Sequence, residues 1–138
     1  MKRSTCTLDS LESSTARPGC VLLVRNYVVP IALAASQVRF DIQQIVDSDA
    51  EWLWRGIAIG ASSSTVLVRL EANDYFLSNV RLPLSLYAGA GWQAKVFEQD
   101  ISIPAGGRVS VEAENSDAVS AVALNLVLLG VKVKELPR

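Results

Sequence analysis

Few residues in this 138-residue chain have the types and spacing that chemistry requires, and each such group has a plainer role beside it. "DSDAE" places Asp47, Asp49 and Glu51 at alternate positions. A calcium loop would also need further oxygen ligands, a glycine at its sharp turn and a distant bidentate glutamate, and none follows. The stretch reads as a turn with solvated acids. "EAENSD" gathers Glu112, Glu114 and Asp117. Paired carboxylates at a set separation cleave glycosides. Two glutamates on the polar side of one strand also protect that strand from edge pairing, which is the simpler reading. Ser62, Ser63 and Ser64 would be nucleophiles only with a base beside them. The chain has no histidine, which is the commonest general base near neutral pH and the commonest metal ligand. "GAG" and "AGG" lack the lysine and the following helix of a phosphate loop and read as turns. No catalytic residue, metal ligand or cofactor is therefore expected, and the chain is not expected to be an enzyme.

Thirteen basic residues face fourteen acidic ones with no long run of one sign. Phosphate binding needs concentrated lysine and arginine, so direct contact with nucleic acid is not expected. The two cysteines, Cys6 and Cys20, are too few for a disulfide framework or a closed zinc site. They are expected as free thiols. Arg25 and Asn26 interrupt the apolar stretch near the N-terminus, and Asp9 and Glu12 lie where a leader would carry no acid. The uncharged run from Asn26 to Val38 falls short of the ~20 residues that span a bilayer. The expectation is no signal peptide, no anchor and no membrane.

The elements that would position these groups are strands. Residues 1–19 stand apart: seven are Ser or Thr, and "RPG" closes the segment, so it reads as an N-terminal arm or disordered tail. Residues 20–138 form one domain of period two. "VLLVRNYVV" is a strand that Pro30 ends or bends. "VRFDIQQI" places Val38, Phe40 and Ile42 on one face. "EWLWRGIAIG" places Trp52 and Trp54 on one side, with Leu53, Arg55, Ile57 and Ile59 on the other. "TVLVRLEA" turns Val66, Val68 and Leu70 inward. "YFLSNVRLPLSLY" is broken by Pro83 into an edge strand or two short strands. "AKVFEQDISI" follows, then "PAGG" as a tight turn in which glycine supplies the positive φ. "RVSVEAE" faces Val109, Val111 and Ala113 inward. "AVALNLVLLGVKV" is apolar on both faces, with Gly130 marking a bulge. "IALAASQV" is the one short helical candidate. The pattern predicts an all-β antiparallel sandwich, a jelly roll of about eight strands.

A strand apolar on both faces must cover its second face. The cover is either the chain's own arm or loops, or another subunit anchored by tryptophan and tyrosine. Bulk and apolarity nominate Arg17, Cys20, Trp52, Trp54, Tyr87 and Trp92 as interface residues. Tyr87 and Trp92 flank the "AGAG" loop and would also suit stacking on a sugar ring.

Four stretches in order carry a family resemblance: "FDIQQIVDSDAEWLWRGI", "VLVRLEANDYFLSNVRLPLS", "DISIPAGGRVSVEAEN" and "VALNLVLLGVKV". Across residues 37–134 the chain resembles the jelly-roll capsid cement, or decoration, proteins of tailed bacteriophages, of the type described from a Bordetella podophage. The resemblance implies a structural virion protein on the outer surface of the capsid, made in the host cytoplasm. It would bind the major capsid protein shell and tie neighbouring capsomers against internal DNA pressure. It would also self-associate, as a homodimer ahead of a trimer. The alternative is a carbohydrate- or receptor-binding jelly-roll module of a phage particle. A cupin-like enzyme is disfavoured because its metal site needs several histidines.

Overall fold

The computed structural model describes residues 20–60, 65–72, 75–86 and 94–135. The N-terminal segment 1–19, and with it the expected arm, lies outside the described residues. Ten strands follow one another: β1 (Cys20–Val24), β2 (Tyr27–Leu33), β3 (Val38–Ile45), β4 (Glu51–Ile59), β5 (Val66–Ala72), β6 (Tyr75–Phe76), β7 (Leu82–Pro83), β8 (Lys95–Ile103), β9 (Arg108–Asn115) and β10 (Val122–Glu135). The one helical element among the described residues is a 3-10 turn at Leu84–Leu86. The helical candidate "IALAASQV" is instead the end of β2 and a tight turn, in which Gln37 N–H donates to the Ala34 carbonyl and Ser36 takes a φ of 58°.

All pairing is antiparallel, in two sheets. In the first sheet the order is β1-β10-β4-β8, and β2 pairs the other half of β10. In the second it is β3-β9-β5-β6, with β7 also on β5. Strands β1 and β2 lie end to end along one edge of β10, and β6 and β7 share one edge of β5. Eight strand positions result, in the order of a jelly roll. β2 and β7 are edge strands, which is why they tolerate Pro30 and Pro83.

The core lies between the sheets, where β5 buries Val66, Val68 and Leu70 and β9 buries Val109, Val111 and Ala113. From the first sheet come Leu124, Leu126 and Leu128 of β10 and alternate residues of β2. An aromatic spine crosses this layer. Tyr27 meets Trp52 edge-on at 5.0 Å, Trp52 stacks on Trp54 at 6.4 Å, and Trp54 meets Phe97 edge-on at 5.2 Å.

Two expected face assignments are corrected by bulges. β4 shifts register against both neighbours around Arg55, so Ile57 and Ile59 change sides. Ile57 is fully buried in the same core as the tryptophans, and Ile59 packs against it. β3 shifts register between Arg39 and Ile42, which throws Phe40 outward, 67% exposed, while Ile42 stays inside. Gly130 does sit at a register shift, next to Leu129. Its N–H donates to Asn26 Oδ1 at 3.2 Å, and its carbonyl accepts from Arg25 N–H at 2.9 Å. The break between β1 and β2 and the bulge in β4 thus flank the same glycine. A side chain there would overlap the Trp52 indole and the Leu53 carbonyl.

Candidate functional site

The two tryptophans proposed as interface anchors are core residues. Trp52 pairs with Lys132 and Ile103, and Trp54 with Gly130 and Ile101, on the inner side of the sheet. A buried indole needs an acceptor for its N–H. Trp52 Nε1 donates to the Arg25 carbonyl at 2.7 Å and Trp54 Nε1 to the Gly56 carbonyl at 2.9 Å. Both rings are sealed, so neither offers a surface to a partner. Cys20 is also buried, at 8% exposure, and it is disulfide-bonded, which overturns the expectation of a free thiol at this position. Arg17, Tyr87 and Trp92 lie outside the described residues, as does the serine triplet 62–64.

The acidic groups have structural partners. Asp47 lies beside Arg25 Nε at 2.9 Å and Lys132 Nζ at 2.8 Å, and Asp49 pairs with Lys132 at 3.0 Å and Lys134 at 3.3 Å. The Arg25 hydrogen bond, then the Lys132 ammonium, hold the Asp47 carboxyl well below the usual carboxylate range. Arg25 also lies over the Tyr27 ring at 4.3 Å, and the Asp47 N–H donates to Tyr27 Oη at 2.8 Å. This cluster pins the turn after β3 to β1 and β10. Glu51 accepts from Ser102 Oγ. Among the described residues no group of three or more acids and cysteines could hold a metal ion. Glu112 and Glu114 face Arg69 and Arg81 at 3.5–3.7 Å and line a shallow cavity of ≈ 380 Å³ whose charges are paired with one another.

The two outer faces of the sandwich differ in kind. Cross-strand partners share a face. The β9 row on one side therefore runs Arg108, Ser110, Glu112 and Glu114, flanked by Arg69 and Glu71 of β5 in mutually neutralising pairs, with Ile45 and Phe40 exposed on β3 at its edge. The other sheet is different. Its outer rows are Leu22–Val133–Glu51, then Val24–Val131–Leu53–Ser102, then Leu129–Gly56–Val96, then Val28–Val127–Ala58, then Pro30–Asn125, then Ala32–Ala123. Apolar side chains make up most of these rows, with Glu51, Ser102 and Asn125 among them and the Arg55–Asp100 ion pair joining β4 to β8 at 3.1 Å. Val24 is 79%, Val28 56% and Val96 71% exposed. Towards Cys20, however, Leu53 and Val133 are almost completely buried and form a cluster of their own with Val131 and Cys20.

Exposed apolar residues grouped on one face nominate it as the candidate interaction surface. Neither protein-family models nor curated protein sequences yield a match to this chain. The geometry is therefore the ground on which function is argued. Val24, Val28 and Val96 are not among the residues that the sequence nominates for an interface. A signal for Val28 lies in "YVVPIAL", whose outward positions Val28, Pro30 and Ala32 are apolar like its inward ones.

Proposed function

We propose that this chain is a structural virion protein, a capsid cement that docks on the outside of a major capsid protein shell and braces neighbouring capsomers. The observation that carries the reading is the set of exposed apolar side chains on the outer face of the first sheet, Val24 of β1, Val28 of β2 and Val96 of β8, on a two-layer block. Burial of such a face drives association at roughly 25 cal/mol per Å² of apolar surface removed from water, less the cost of immobilising the partners. Repeated over many copies, contacts of this kind add up to resistance against outward pressure. The opposite face, with its paired charges, suits solvent at the particle exterior. Self-association through part of the apolar face, as a dimer ahead of a trimer, fits the same surface. The resemblance of residues 37–134 to phage cement proteins gives the reading its partner. The sugar-binding alternative rests on Tyr87 and Trp92, outside the described residues, and no observation favours it.

Quantitative gel analysis of dissolved particles tests the reading. Cement predicts hundreds of copies, in a fixed ratio to the major capsid protein. A few tens of copies would contradict it and indicate a receptor-binding or tail component.

A further inference from the structure

The outer face of the second sheet carries a cavity that docking through the first sheet leaves open. Cross-strand pairing sets Glu112 beside Arg69, with Glu114 one row along. The register shift between Arg39 and Ile42 places Phe40 and Asp41 opposite Glu112 on its other side. Arg81 comes one residue before β7, which pairs with β5, and Arg69 Nε donates to the Ser78 carbonyl at 3.3 Å. The short loop that carries Arg81 is thus held to the sheet at both ends. The Arg81 guanidinium lies 5.9 Å from the centre of the Phe40 ring, and that ring is 67% exposed.

The four charges cancel without closing on one another. Arg69 stands 3.6 Å from Glu112, and Arg81 stands 3.7 Å from Glu112 and 3.5 Å from Glu114. These separations exceed the roughly 2.7–3.2 Å of an N–H···O hydrogen bond. They set donors across from acceptors over a gap that a hydroxyl group can bridge, accepting from a guanidinium and donating to a carboxylate. Together with Asn79 these side chains line the cavity of ≈ 380 Å³. That is the small end of the roughly 300–1,000 Å³ of ligand sites, room for about one ring. An anion would gain from two arginines but meet two glutamates, and a cation the reverse. A neutral polyol meets neither penalty. The C–H face of a sugar ring is apolar enough to lie against an aromatic ring, whose face carries negative charge density.

We propose that Arg69, Arg81, Glu112, Glu114 and Phe40 form a binding site for one pyranose ring of a neutral saccharide, its hydroxyls bridging guanidinium and carboxylate groups and its C–H face against Phe40. The site shares no residue with Tyr87 and Trp92. It lies on the face opposite Val24, Val28 and Val96, so it goes beyond the cement reading and stands or falls apart from it.

The test is a nuclear magnetic resonance titration of the isotope-labelled full-length chain. The probes, added separately, are the methyl glycosides of glucose, galactose, mannose and N-acetylglucosamine, then inorganic phosphate and free glycine as anion and zwitterion. At least one glycoside should shift the Phe40 ring and Arg81 side-chain signals saturably, and phosphate and glycine should not. Phe40→Ala and Arg81→Ala should each weaken that binding at least ~10-fold. The Phe40 ring is exposed, so its removal spares the fold even where loss of Arg81 does not. Val28→Asp/Val96→Asp should leave saccharide binding unchanged. No saturable shift with any glycoside, saturation of these signals by phosphate or glycine, or glycoside binding that persists unweakened in folded Phe40→Ala would each overturn the proposal.

Discussion

Asp47 is where a single residue carries the most electrostatic work. Its carboxylate joins Arg25 of the β1–β2 break to Lys132 of β10, and its backbone N–H reaches Tyr27. Its pKa is depressed in the folded chain, first by Arg25 and then by Lys132. A depressed carboxyl contributes stability that is present above the unfolded value of about 4 and is lost as pH falls through the folded value. Denaturant melts at pH 7 and at pH 3 should therefore show the chain weaker in acid. Asp47→Asn should cost about 1 kcal/mol at pH 7, since the pair is partly exposed, and should flatten the acid dependence. Asn115 is the buried polar residue to set beside it. Its Nδ2 donates to the Ala34 carbonyl at 3.2 Å and to the Ser120 carbonyl at 2.9 Å, while its Oδ1 accepts from Asp117 N–H at 3.1 Å. Asn115→Ala strands those groups and should lower stability by about 2 kcal/mol in urea titration, without touching the apolar outer face.

At the scale of the element, β4 and β10 set the shape of the first sheet through Gly130. The missing side chain lets the Trp52 ring pack against the β10 backbone, and the bulges beside it let one sheet bend. Gly130→Ala should overlap the indole and the Leu53 carbonyl and cost about 3 kcal/mol. Gly106, in the turn between β8 and β9, has a φ of 75° but open space around it. Gly106→Ala should cost about 1 kcal/mol, through backbone conformation alone. Thermal melts of the two variants separate crowding from strain. The same strands mark how far the sequence could be read. The alternation in "TVLVRLEA" and "RVSVEAE" was enough to place β5 and β9, because they pair with each other without a register shift and the irregularity against β3 falls on the β3 side. In "EWLWRGIAIG" the alternation misplaced Ile57 and Ile59, because one extra residue at Arg55 inverts every face that follows. Phe40 went wrong for the same reason on β3. Trp52 and Trp54 looked like interface anchors because their bulk is visible in sequence, whereas the carbonyls that satisfy their N–H groups come from the β1–β2 break and the β4 bulge.

The described residues form a two-layer block with unlike sides, one carrying mutually paired charges, the other mostly apolar. On the cement reading proposed above, that difference gives the block a direction, with the apolar side against a neighbour and the charged side towards water. On that reading its working residues are ones that sequence patterns treat as ordinary strand filler. Val28 and Val96 stand largely exposed on the apolar side and lie outside the core, so charge introduced there should spare the fold. The double variant Val28→Asp/Val96→Asp should keep the thermal midpoint within a few degrees of the parent. Arg81→Glu, on the charged side, should leave docking intact. Co-sedimentation of the purified chain with expanded, cement-free shells of the major capsid protein tests the account most directly. It predicts saturable binding of the parent and of Arg81→Glu at a fixed ratio to the capsid protein, with binding by the aspartate double variant reduced at least ~10-fold, the loss that 1.4 kcal/mol would produce. Equal binding by the parent and the aspartate variant, or no binding by either, would contradict it.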